Sequence, residues 1–134
     1  MLDEMVVWRK KMASIIVTSG DKKGEFLPLG RRVSVIGRGE ALSLQVRDDL
    51  ASRKHLRIRF DEITERYYAE DLESKHGTFI NQRKVTRQVP LTEGDVILIG
   101  QTTLLFTDND FDDRESALLH FQKAGERARG TRSR

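Results

Sequence analysis

The chain contains no cysteine. Disulfides, thiolate metal sites and a cysteine nucleophile are therefore excluded. It has no long apolar run, so no transmembrane helix is expected. The opening stretch MLDEMVVWRKKMAS is too short and too charged to read as a secretory signal. These absences lead to the expectation of a soluble protein of a reducing compartment, cytoplasmic and away from membranes. The three histidines, His55, His76 and His120, show no metal-ligand spacing, so no metal is expected. The stretch GRGEALS lacks the GKS or GKT ending of a phosphate-binding P-loop, and GRGE is no dinucleotide fingerprint. No cofactor is expected.

What is present suits one domain. The 134 residues fall within the ordinary domain range. The chain is 37% hydrophobic and 34% charged, which leaves enough apolar material for a single core. Short strands use it economically, because only alternate residues need be apolar. The net charge is +3, from 24 basic and 21 acidic residues. So modest an excess argues against a dedicated nucleic-acid binder. The distribution is more telling than the sum. Residues 108–115 carry five acids and one arginine, and residues 123–134 carry five bases and one acid.

From Ser14 to Phe106 the chain reads as nine or ten short strands broken by turns. SIIVTSG is a β-branched run ending at Gly20, and GDKKG is a turn cluster. EFLPLG and RVSVIG follow. HLRIRF alternates, with Leu56, Ile58 and Phe60 on one face and Arg57 and Arg59 on the other. RYYAEDL is a further strand. TFINQRKV reads as two very short strands about a turn at Asn81–Gln82. DVILIG and QTTLLFTD close the series. No helical pattern intervenes, which points to an antiparallel sandwich or barrel. The stretch from Glu40 to Ala51 reads as a longer polar crossing, the kind of loop where binding residues sit.

The period changes after Asp110. Asp112 followed by Glu115 resembles a capping box. Ala117, Leu118, Phe121, Ala124 and Ala128 share one helical face. A helix is expected from about Asp112 to Arg127, followed by a basic tail. The expected organisation is an N-terminal arm over 1–12, a β-sandwich over 13–107, and a helix with its tail over 108–134.

Ser52 stands three residues before His55, with Asp48 and Asp49 just upstream. That invites a hydrolase reading, but nothing here resembles a nucleophile elbow or completes a triad. No catalytic residue is expected. Anion binding fits better. Arg38 follows Gly37 at a strand end. Ser52 and Arg53 open the turn before HLRIRF, and Lys75 and His76 sit in the turn before TFIN. Gathered at one end of a sandwich, these turns offer two guanidinium groups, an ammonium, a hydroxyl and an imidazole. A guanidinium grips a phosphate bidentately and a hydroxyl adds a directed donor. Gly37, Gly39 and Gly77 let backbone N–H groups come close.

The ordered set GR, SRKH and SKHGTFIN, with LPLGRRVSVIGR before it and LTEGDVILIG after it, resembles the forkhead-associated (FHA) domain. The resemblance runs from about Ile15 to Phe106. It implies an all-β, FHA/SMAD-like antiparallel sandwich of about eleven short strands, followed here by the C-terminal α-helix. It implies a phosphopeptide-binding module that recognises phosphothreonine on a protein partner, such as a Ser/Thr protein kinase or its substrate. Arg38 would hold the phosphate and Ser52 would donate a hydroxyl to it, with Arg53 and Lys75 adding charge. His55 would brace the binding loops, Gly37 and Gly77 with Thr78 would shape the turns, and Asn81 would tie down the loop beyond. One position departs from the family pattern: His76 stands where an asparagine grips the peptide backbone. The competing reading is a phosphate-independent interaction or self-association scaffold built on the sandwich and the C-terminal helix.

Overall fold

The computed structural model describes residues 13–108, together with Leu119 and Gln122. The N-terminal arm and, apart from those two positions, the expected C-terminal helix lie outside the described residues. Eleven strands form two sheets: β1 Ser14–Val17, β2 Phe26–Pro28, β3 Ser34–Gly37, β4 Leu44–Gln45, β5 Leu56–Asp61, β6 Arg66–Asp71, β7 Thr78–Ile80, β8 Arg83–Lys84, β9 Val89–Pro90, β10 Val96–Ile99 and β11 Thr102–Thr107. The six-stranded sheet has the order β2-β1-β11-β10-β7-β8, and the five-stranded sheet β4-β3-β5-β6-β9.

Alternation puts one set of side chains between the sheets. Ile15, Val17, Ile97, Ile99, Leu104 and Phe106 of the first sheet meet Ile36, Leu56, Ile58, Tyr67 and Ala69 of the second in one core. The Tyr67 and Phe106 rings stack across it at 5.8 Å between centroids. Such tilted aromatic pairs favour this arrangement beyond their area burial. The Tyr67 hydroxyl donates to the Gly30 carbonyl at 2.6 Å, so its polar end is satisfied inside the core.

Two differences from the sequence reading matter. The polar crossing from Glu40 to Ala51 contains β4, which pairs parallel to β3 through Ile36↔Leu44 and Gly37↔Gln45. The sandwich is therefore antiparallel except for this one strand pair. Residues 89–90, unread as a strand, form β9 against β6. Both are two residues long and carry no alternation of their own; only the neighbouring strand defines them. Among the described residues, no helix is long and apolar enough to cross a membrane.

The register places the site. Ile99 of β10 pairs with Thr78 at the start of β7, and Gly37 closes β3. The turns after β3, before β5 and before β7 thereby meet at one pole of the sandwich.

Candidate functional site

Backbone hydrogen bonds join the turns after β3 and before β5 at that pole, and side-chain bonds tie in the third. Arg38 N–H donates to the Ser52 carbonyl at 2.9 Å, and Gly39 N–H to the Arg53 carbonyl at 3.1 Å. Gly37 must be glycine for this approach. A Cβ there would lie 2.3 Å from the Arg53 carbonyl oxygen and 2.7 Å from that of Ser52. Gly77 has φ +86°, a left-handed conformation that side chains resist.

His55 is the fastener beneath. It is fully buried at the start of β5. Ser52 N–H donates to its Nδ1 at 3.0 Å, so the ring proton is on Nε2, which donates to the Gly77 carbonyl at 2.8 Å. Both ring nitrogens are thus committed to backbone. The Ser52 hydroxyl oxygen instead accepts from Lys75 N–H at 3.0 Å. Ser52 and His55 therefore do not form a nucleophile–base pair, since no imidazole nitrogen is left to take the hydroxyl proton. That proton is left to donate elsewhere.

Arg38 extends from the end of β3 and is exposed. Its Nε donates to the Ala51 carbonyl at 3.0 Å, which aims the guanidinium. Among the described residues, neither Nη of Arg38 has a hydrogen-bond partner, and no carboxylate pairs with Arg38, Arg53 or Lys75. Arg53, Lys75 and His76 are also exposed. The pole thus presents an oriented fork, a hydroxyl donor and two further cations. Among the described residues, no group of three or more His, Cys, Asp or Glu is placed to hold a metal.

Thr78 faces inward, and its hydroxyl donates to Asp71 Oδ1 at 2.7 Å. The same carboxylate accepts from the Ser74 hydroxyl at 2.6 Å and from Ser74 N–H at 3.0 Å, while Ser74 Oγ accepts from Gly77 N–H at 2.9 Å. Burial pushes the Asp71 carboxyl up, but the hydrogen bonds from Ser74 and Thr78 outweigh it and hold it below its ordinary value. Asn81 is not part of the pole. It lies at the other end of β7, where its Nδ2 donates to Asp95 Oδ1 at 2.9 Å and its Oδ1 accepts from Val96 N–H at 3.0 Å. It braces the β7–β8 turn against β10.

Sequence reasoning missed Asp71, Ser74 and Asp48. Asp48, met only as a neighbour of the supposed triad, accepts from Leu50 N–H, Gln101 N–H and the Thr102 hydroxyl at 2.9, 2.6 and 2.8 Å. It ties the loop before Ser52 to the β10–β11 turn. The signal was available: Asp48 two residues before a bonded N–H is an Asx-turn pattern, and Asp71 three before Ser74 is a local side-chain-to-backbone motif of the same kind.

The family model described as FHA domain matches residues 34–100. The chain belongs to the FHA domain family. It is 36% identical over 92 residues to the FHA domain-containing protein FhaB of Mycolicibacterium smegmatis, covering 67% of this chain and 57% of FhaB. The chain thus spans a little over half the length of that relative. Among solved structures, one of phosphothreonine-dependent FHA domain interactions is 27% identical with a TM-score of 0.66, covering 75% of this chain and 99% of that one. The FhaA FHA domain complexed with the intracellular domain of Rv3910 is 29% identical with a TM-score of 0.63, covering 70% of this chain and 98% of that one.

Proposed function

We propose that this FHA domain is a non-catalytic, cytoplasmic binding module that recognises phosphothreonine on a protein partner, a Ser/Thr protein kinase or a kinase substrate. The observation that carries this reading is the set of unspent donors at the pole. The Arg38 fork is aimed by Ala51, the Ser52 hydroxyl accepts from Lys75 N–H and keeps its proton to donate, and Arg53 and Lys75 stand exposed beside them. A phosphate dianion takes several such charge-assisted bonds at once, whereas a neutral hydroxyl takes few. The phosphothreonine-dependent interactions of the similar FHA structure support the same ligand. In this reading Arg38 and Ser52 hold the phosphate, Arg53 and Lys75 add charge beside it, His76 meets the peptide, and Gly37, His55, Gly77 and Thr78 hold the loops in place. Residues 13–107 are the binding domain and 108–134 its extension.

The test is calorimetry with an oriented phosphothreonine peptide library and its unphosphorylated counterpart. Binding confined to the phosphorylated library is expected. Equal binding of both would overturn the reading.

A further inference from the structure

The outward faces of the two sheets differ in chemistry. On the five-stranded sheet, β5 and β6 send out Arg57, Arg59, Tyr68 and Glu70. Charge and ring contacts link them: Arg57 pairs with Glu70, and Arg59 lies 5.1 Å from the centre of the Tyr68 ring. On the six-stranded sheet, the register puts Ile16, Phe26, Leu105, Val96, Leu98 and Phe79 on the outward face, the side opposite the core. A contiguous apolar face of this kind on a soluble domain marks a contact surface.

Part of that face is already shielded. Ile16 is 0% exposed and Leu105 6%, although both point away from the core. Among the described residues their cluster includes only Phe26 besides. Cross-strand neighbours press on side chains from the flanks but do not roof them. Beside the shielded pair the face opens into a groove of about 680 Å³ lined by Phe79, Asn81, Gln82, Val96, Leu98 and Thr103.

We propose that this face is the docking site of the chain's own C-terminal segment, residues 109–134, seated as an amphipathic helix. The segment starts directly after Asp108, at the end of β11, the strand that carries Leu105, so it reaches the face without a long linker. Its apolar positions, Ala117, Leu118, Phe121, Ala124 and Ala128, make one stripe. Leu119 and Gln122 are helical and exposed, Leu119 at 55%. At about 100° per residue Leu119 falls opposite the middle of that stripe, the side that a helix seated by the stripe turns to solvent, and Gln122 falls at its edge, beside Leu118. A helix over 112–127 is about 24 Å long at 1.5 Å per residue. The six-residue β11 is about 20 Å long at 3.4 Å per residue. One helix therefore matches the length of the face.

Because the chain lacks cysteine, paired substitutions in the full-length protein report this contact directly. Val96→Cys is to be combined in turn with Ala117→Cys, Ala124→Cys and Gln122→Cys and treated with a short bis-maleimide in dilute solution. An intramolecular link is expected for at least one of the Ala117 and Ala124 pairs, at several-fold higher yield than for the Gln122 pair. Failure of both alanine pairs to link within one chain would overturn the proposal. Links formed only between chains would assign the face to a second copy, and linking only to Val7→Cys would assign it to the N-terminal arm; either result overturns it. A Leu118→Asp/Phe121→Asp double variant is expected to lower the melting temperature and raise dye binding at the bared face. An unchanged melting curve would also overturn it.

Discussion

The Nε2–H of His55 reaches the carbonyl of Gly77 at 2.8 Å, across 22 positions of sequence, from inside the protein. With Ser52 N–H on Nδ1, one ring fixes two of the three turns at the pole. His55→Ala removes both bonds and leaves a cavity under the loops. We expect a loss of about 2–5 kcal/mol of folding stability, read by urea denaturation, together with a loss of phosphopeptide affinity measured at a denaturant-free temperature well below the melting point.

Arg38 is exposed and its side chain contributes one hydrogen bond to the fold, so its replacement tests ligand binding with little disturbance of stability. Arg38→Ala is expected to cost about 2–5 kcal/mol of phosphopeptide binding, the range for truncating one partner of a close charged pair. Arg38→Lys keeps the charge but loses the planar fork, and recovers only part of the affinity. Calorimetry with a single phosphothreonine peptide checks both.

Gly37 carries the closest backbone approach at the site. Gly37→Ala pushes a methyl group against the Ser52 and Arg53 carbonyls, neither of which is a flexible side-chain end. A destabilisation of about 1–3 kcal/mol is expected from this overpacking. The Ser52 turn must also shift away from Arg38. Thermal unfolding and phosphopeptide titration should therefore both report the change, unlike for Arg38→Ala, where only the titration moves strongly.

Asp71 sets an acid limit to stability. Its carboxyl is held below the ordinary value of 3.8 by Ser74 and Thr78, which outweigh burial. A depressed carboxylate contributes stability fully above its unfolded value, and loses it as pH falls through the folded value. The wild-type curve of stability against pH is therefore expected to fall as pH drops below 3.8. Asp71→Asn should be less stable at neutral pH and show a shallower acid limb. Urea midpoints measured from neutral pH down to acid give both slopes.

The resemblance to the FHA pattern puts His76 where the family has asparagine, and the residue is exposed. A carboxamide donates and accepts at once, whereas a neutral imidazole nitrogen does one or the other. His76→Asn is expected to strengthen phosphopeptide binding by about 1 kcal/mol, one net hydrogen bond. Stability should stay within about 0.5 kcal/mol, as for other surface changes. A fall in affinity would show that the imidazole itself meets the peptide.

The long strands were legible because alternation is a local property. Leu56, Ile58 and Phe60 announce the inner face of β5 within six residues, and the structure buries Leu56 and Ile58. β4 and β9 were not legible, because two residues cannot alternate; they are strands only because Ile36 and Tyr68 lie beside them. At the site, the donor types Arg38, Ser52, Arg53 and Lys75 could be read directly. Their scaffold of Asp48, Asp71 and Ser74 was missed, since an acid or a serine in a polar turn looks the same whether it braces a loop or faces water.

By itself, then, the amino-acid order determined the chemistry on offer: glycines where chains approach, donors without a free base or metal set, and strands whose inner faces make one core. Only the tertiary structure decided how each donor is spent. Ser52 lies 23 positions from Lys75, yet the backbone N–H of that lysine, 3.0 Å away, donates to the serine oxygen and leaves its proton to donate elsewhere. The same long-range closure commits both nitrogens of His55 to backbone and leaves Asn81 at the far end of β7. Hydrogen bonds run between groups that meet in space, and at this site they meet only after the two sheets have packed.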